Sequence, residues 1–311
     1  MRPDQTLSFA LFLVLALLLP ISAPTPVKAL KPIVKLEPLP ILHEKFFYPE
    51  LTGSTIATPR ITAKAAIVYD LSNGAILFEK GSDTSLPEAS LTKLMTALVA
   101  SELYSPDEIA HIDHEEFNTE SNVMGLRAQE SITVENLLKG LLIYSANDAA
   151  LALAHHHPQG YSAFIAAMNK KALKLHLKHT QFQNPVGFDD ANHYSTVYDL
   201  AILSKEVLQH PKLAEYMSTE LTQVTNTEGT IVHPLTTTNL LLNKLQGVVA
   251  GKTGITPLAG ECLFTEVSRE NHSVITVVLG SQDRFTDTTQ LVNWVYNVYT
   301  WNSPVQQQID L

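Results

Sequence analysis

Three short clusters carry residue types that together could transfer an acyl group: Ser90-Leu91-Thr92-Lys93, Ser145-Ala146-Asn147 and Lys252-Thr253-Gly254, the second starting 55 positions after the first and the third another 107 on. Ser-x-x-Lys and Ser-x-Asn each arise by chance about once in a chain of this length at ordinary composition, so the weight lies in their combination and setting. A serine hydroxyl is a poor nucleophile at neutral pH and needs a neighbouring base. Lys93, one helical turn from Ser90, can serve only if its pKa falls from about 10.4, through burial or through a second cation such as Lys252. The start of a helix also offers unsatisfied N–H groups and a positive dipole end, which favours an oxyanion beside the nucleophile. The backbone N–H groups of Ser90 and Ile255 are the candidate oxyanion donors. The Ser145 hydroxyl suits a proton relay and the Asn147 amide a hydrogen bond to substrate. Lys252 and Thr253 suit a substrate carboxylate, and Gly254 lets a substrate backbone approach.

The elements that must position these groups follow from periodicity. Ala65–Asp70 and Ala75–Glu79 flank Ser72-Asn73-Gly74, a strong hairpin signal. After Glu88, apolar residues at Leu91, Leu94, Met95, Leu98 and Val99 predict an amphipathic helix starting near Ser90. Further helices are expected over Val134–Tyr144, Ala149–His155, Gly160–Leu175, Thr196–His210 and Asp287–Tyr299, and extended runs over Val248–Thr253, Glu261–Val267 and Ser273–Gly280. Strands at both ends of the chain form one sheet only if the first hairpin pairs with the last meander. The expected fold is therefore α+β, a five-stranded, mainly antiparallel sheet flanked by terminal helices with a helical subdomain inserted.

The 311 residues are 45% hydrophobic, enough to bury a sizeable core, and the net charge of −10 argues against nucleic acid as a partner. Arg2 followed by an apolar run from Leu7 to Ile21, about 15 residues, has signal-peptide rather than spanning length, and Val27-Lys28-Ala29 offers a cleavage site. Residues 1–29 are expected to be a signal peptide or, uncleaved, an N-terminal anchor that tethers the protein to a membrane. Either way the protein is expected to lie outside the cytoplasm. Residues 30–62, rich in proline, read as a linker, 63–303 as the catalytic domain and 304–311 as a tail. The lone Cys262 excludes an intramolecular disulfide and reads as a small core residue. His155-His156-His157, three consecutive residues, cannot all face one ion from a helix and read as a solvated helix end, as do His176 and His179. His193 reads as a structural hydrogen-bonding residue, and no metal or other cofactor is expected.

These motifs resemble those of the D-alanyl-D-alanine carboxypeptidase family, the low-molecular-mass penicillin-binding proteins that share their architecture with serine β-lactamases. The likeness runs from about Ala63 to Tyr299 and extends to Pro87-Glu88-Ala89 before Ser90, Asp148-Ala149-Ala150 after Asn147, Asn184-Pro185 with Gly187, His193-Tyr194-Ser195-Thr196, and Ala259-Gly260. It implies a β-lactamase/transpeptidase-like fold and hydrolysis of the terminal D-alanine from peptidoglycan stem pentapeptides through an acyl-enzyme on Ser90. It also implies covalent inhibition by β-lactams. Some relatives place an arginine near Thr238 for substrate recognition, and this chain has none there. Arg284 matches another arginine of such relatives and is the candidate for that role. Many relatives also continue into a β-rich domain and a membrane-binding helix, whereas this sequence stops at Leu311. A D,D-endopeptidase of the same family and a serine β-lactamase are the alternatives, although Gly187 to Tyr194 offers Asp189 and Asp190 but no deacylating glutamate.

Overall fold

The structure is a computed structural model that describes residues 48–53, 56–113 and 122–302; the expected signal and tail lie outside them. Its centre is a sheet in the order β3-β2-β10-β9-β8, antiparallel throughout, built from β2 (Ala65–Asp70), β3 (Ile76–Lys80), β8 (Val248–Thr256), β9 (Gly260–Arg269) and β10 (His272–Ser281). The joint between the first and last parts of the chain is the pairing of β2 with β10, from Val274 opposite Asp70 to Leu279 opposite Ala65. All six residues of β2 are buried, as a central strand covered on both faces requires. One face packs on the last helix, α7 (Arg284–Val298), through Val68, Val274, Val278, Leu291 and Val295. The other face meets the helical subdomain through Ile67, Ile275, Val277 and Phe264.

The subdomain lies between β3 and β8 in the chain and holds α1 (Thr92–Leu103), α2 (Val134–Lys139), α3 (Asn147–His155), α4 (Tyr161–Lys174), α5 (Val197–Leu208) and α6 (Pro211–Ser218). Helix α1 is not amphipathic as expected: every residue from Thr92 to Ala100 is buried, because other helices of the subdomain surround it. Ser90 precedes it on a single 3₁₀ turn, Ala89–Leu91. The expected helix Val134–Tyr144 changes winding midway, α2 passing into a π-helical turn, Gly140–Tyr144, that ends with Ser145 at φ 65.

Four features were not expected. Strand β1 (Tyr48–Leu51), inside the stretch read as linker, pairs with β11 (Tyr299–Asn302), so the fold reaches further towards the N-terminus than residue 63. Two short hairpins, β4 (Ile109–His111) with β5 (Ser131–Thr133) and β6 (Leu221–Thr225) with β7 (Val232–Thr236), and helix α6 complete the subdomain.

The sheet order makes a contrast between two isoleucines measurable. Ile67→Ala in the central strand should cost roughly 2–5 kcal/mol in denaturant unfolding. Ile76→Ala in the edge strand, at a site 43% exposed, should cost well under that. Equal costs would contradict the strand order.

Candidate active site

The sequence brings its chemical residues together at one end of the sheet. Ser90, Ser145, Asn147, Thr253, Gly254, Ile255 and Arg284 line one cavity of about 260 Å³, together with Asn122 and Thr238. Lys93 and Lys252 lie just beneath it, both almost wholly buried. Helix α1 and its leading turn supply Ser90 and Lys93, the end of the π-helical turn and the start of α3 supply Ser145 and Asn147, the edge strand β8 supplies Lys252, Thr253, Gly254 and Ile255, Arg284 opens α7, and Asn122 and Thr238 come from loops. The two walls touch closely: a Cβ on Gly254 would stand 2.9 Å from the Ser90 amide nitrogen and 3.2 Å from the Glu88 carbonyl oxygen, so only glycine allows β8 this near to the nucleophile.

Lys93 Nζ has three partners, Ser90 Oγ at 2.8 Å, Asn147 Oδ1 at 2.7 Å and the Val186 carbonyl at 3.1 Å. Burial pushes its pKa down to about 7, against a smaller upward pull from Asp148. A neutral amine has two N–H groups and one lone pair. Asn147 Oδ1 and Val186 O are pure acceptors and take the two N–H groups, which leaves the lone pair facing Ser90 Oγ, the geometry of a general base. Asp148 does not touch Lys93; its carboxylate accepts the N–H groups of Met124, Gly125 and Leu126 at 2.9–3.1 Å. That holds in place the segment carrying Asn122, whose carbonyl accepts the Asn147 N–H at 2.7 Å.

Lys252 Nζ donates to Ser145 Oγ at 2.6 Å and to the Thr253 carbonyl at 2.9 Å. Its pKa is driven well below the ordinary lysine value, first by burial and then by the charges of Lys93 and Arg284. Arg284 donates from Nη1 to the Gly254 carbonyl at 2.8 Å, while its Nε lies 3.9 Å from Glu261 Oε2. Thr253 and Thr238 join hydroxyls at 2.5 Å. The site thus concentrates three basic groups and several hydroxyls around a small cavity whose lining contains no carboxylate. It is built for a ligand that brings its own negative charge.

The sequence had not pointed to Asn122 or Val186, and it named Asp148 only as part of the extended likeness, without a role. Asn122 lies in a polar stretch without periodicity, and Val186 acts through its carbonyl, which any residue would provide. Asn147 does not cap α3, whose N-cap is Ala146. His156 is not solvated as expected but pairs with Glu108 at 2.7 Å and stacks edge-on against Tyr104. Cys262 is buried, and burial raises its thiol to a pKa of about 12. Among the described residues one His/Glu group is close enough to share an ion, Glu102, Glu206 and His210. Lys171 already bonds both carboxylates there, at 2.6 and 3.2 Å, and supplies the positive charge itself.

Sheet, insert and serine–lysine pair together have the arrangement of the serine acyl-transfer enzymes of the penicillin-binding type. The chain belongs to the D-alanyl-D-alanine carboxypeptidase family, whose pattern matches residues 52–283. It is 33% identical over 248 residues to the D-alanyl-D-alanine carboxypeptidase DacF of Bacillus subtilis, covering 76% of this chain and 63% of that protein. It is likewise 33% identical to a D-alanyl-D-alanine endopeptidase of Escherichia coli, covering 78% of this chain and 80% of that one. The crystal structure of the Streptomyces K15 DD-transpeptidase superposes with a TM-score of 0.74 at 26% identity, over 78% of this chain and all of the other. The chain thus spans less than two thirds of the length of the Bacillus relative.

The depressed pKa of Lys93 has a consequence for stability. Between about 7 and 10.5 the unfolded chain holds the lysine proton that the folded chain has lost, so stability rises with pH across that window and the burial penalty is full below it. Lys93→Met should therefore stabilise the fold below pH 7, by about 1–3 kcal/mol, and the gain should shrink towards pH 10. Thermal unfolding across pH measures it; a variant less stable than the parent at pH 6 would refute the assignment.

Proposed function

We propose that the protein is a serine D-alanyl-D-alanine carboxypeptidase acting on peptidoglycan stem peptides outside the cytoplasm. The observation that carries this reading is the buried Lys93 Nζ, 2.8 Å from Ser90 Oγ and bonded to Asn147 Oδ1 and the Val186 carbonyl, in a setting that lowers its pKa to about 7. The terminal carboxylate of the peptide binds at Thr253, Thr238 and Arg284. Its charge offsets the surplus of cations and returns Lys252 to the protonated form. Ser90 Oγ attacks the carbonyl between the two D-alanines as its proton passes to Lys93. The resulting oxyanion is held by the N–H groups of Ser90 and Ile255. The departing D-alanine amine takes a proton delivered through Lys93 and Ser145, and water then cleaves the Ser90 ester by the same proton path run in reverse. Asn147 binds the acyl portion of the peptide while orienting Lys93.

Export, and retention at the membrane through the N-terminal segment if it is not cleaved, belong to this proposal; among the described residues no helix is long and apolar enough to cross a membrane. A D,D-endopeptidase would use the same machinery on a cross-linked stem, and the Escherichia coli relative named as one supports it as the second reading. A β-lactamase is disfavoured by the loop facing the nucleophile. Asp189 there is bound by Thr256 Oγ1 and the Leu258 N–H and Asp190 by the Asn192 N–H, and Gly187 to Tyr194 carries no glutamate to activate water.

Mass spectrometry should show release of D-alanine from a pentapeptide ending in D-Ala-D-Ala, and a penicillin adduct on the peptide containing Ser90 that is absent in Ser90→Ala. Rapid penicillin turnover with no D-alanine released would replace this reading with a β-lactamase. Release only from cross-linked dimers would replace it with the endopeptidase. The penicillin acylation rate should climb with pH around a midpoint near 7, where Lys93 loses its proton. Lys93→Arg should lower that rate by several orders of magnitude, since a guanidinium keeps its proton. A near-parental rate in Lys93→Arg would remove Lys93 as the base.

A further inference from the structure

One buried ionisable pair lies beside the nucleophile and outside the steps above. Glu88 is wholly buried two residues before Ser90, and His193, 3% exposed, meets it with Nε2 2.9 Å from Glu88 Oε1. The other ring nitrogen, Nδ1, accepts the Gln183 N–H at 3.1 Å and faces the Asn184 side-chain nitrogen at 3.3 Å. A nitrogen that accepts carries no proton at that position, so the proton for the other side of the ring sits on Nε2, which is bonded to Thr92 Oγ1 at 2.8 Å and lies 2.9 Å from Glu88 Oε1. Thr92 Oγ1 in turn shares its one proton between the Ala89 carbonyl at 2.8 Å and Glu88 Oε1 at 3.1 Å.

The ring therefore bridges two segments. One is the turn that carries Ser90, with Ala89 held at φ 49. The other is the loop after α4, where Asn184 Oδ1 accepts the N–H groups of Val186, Gly187 and Phe188 and Thr96 donates to the Pro185 carbonyl at 2.6 Å. That loop delivers the Val186 carbonyl to Lys93. The two segments are pressed together at Gly187, at φ 93, where a Cβ would collide with the Ala89 carbonyl. Neither Glu88 nor His193 lines the cavity.

We infer that His193 is a positioning residue for acyl transfer: by tying the Gln183–Phe188 loop to the Ser90 turn through Thr92 and Glu88, it fixes the Val186 carbonyl that orients the Lys93 lone pair onto the Ser90 hydroxyl. It forms no bond to substrate. Its loss should slow the chemical step and leave binding alone, because the groups that hold the ligand stand on other elements. The inference rests on Lys93 being the base.

The test is stopped-flow acylation of the full-length protein by a fluorescent penicillin, giving a limiting rate and a half-saturation concentration for the parent, His193→Gln and His193→Leu. Rates are expressed per titratable Ser90, so a misfolded fraction does not count. Glutamine retains one donor and one acceptor and leucine neither. The limiting rate should fall roughly 10-fold in His193→Gln and roughly 100-fold in His193→Leu, with half-saturation within about twofold of the parent. If His193→Leu does not fold, Glu88→Gln, which weakens the bridge from the other side, should reproduce the His193→Gln pattern. Parental limiting rates in the folded variants, or a loss carried wholly by half-saturation, would overturn the inference. A parent that is never acylated, or is acylated equally well as Lys93→Arg, would overturn the proposed function instead.

Discussion

The burial of an amine without a carboxylate partner is the constraint on which the rest of the structure depends. In water Lys93 would be an ammonium ion at neutral pH, useless as a base. Once it is taken out of water, its pKa falls to about 7, so a large share of it is free amine at neutral pH. The helix that carries it must then be covered on every side, which is why α1 lacks the polar face its periodicity suggests. The helices around it supply that cover. The cost is borne by the core: clusters on both faces of the sheet, with β2 buried along its whole length, offset a penalty that a smaller domain would not tolerate.

A second buried lysine beneath the same cavity feels the same penalty. Burial and the charges of Lys93 and Arg284 drive Lys252 well below the ordinary lysine value, and the carboxylates Asp148 and Glu261 are each committed to holding a segment rather than quenching a lysine. Asp148 shows how close the balance is: it holds the Asn122 segment through backbone N–H groups, and what remains of its charge still nudges Lys93 upward.

Much of this could be read from the residues. The serine–lysine spacing, the Asn-Gly hairpin and the extended runs near the C-terminus placed the central sheet and the candidate site groups, because each is a local signal tied to one backbone geometry. What escaped was what local pattern does not encode. Strand β7 contains Pro234, which ordinarily speaks against a strand and is tolerated because β7 pairs only with β6. Strands β1 and β11 are four residues each and exist only through their pairing with one another. Helix α6, eight residues opening on Pro211, is too short to display a period. The Val186 carbonyl and the π-helical turn that sets Ser145 at φ 65 are backbone facts with no side-chain signature.

The pairing of β2 with β10 also sets an order in time. A chain emerging from its N-terminus brings out Ser90 and Lys93 early, but the sheet cannot close until β10 arrives some two hundred residues later, from Val274 opposite Asp70 onward. Contacts of such sequence separation form late and slowly. The cavity is therefore completed last, because Lys252, Thr253, Gly254 and Ile255 reach the Ser90 turn only on β8, a strand of that same sheet.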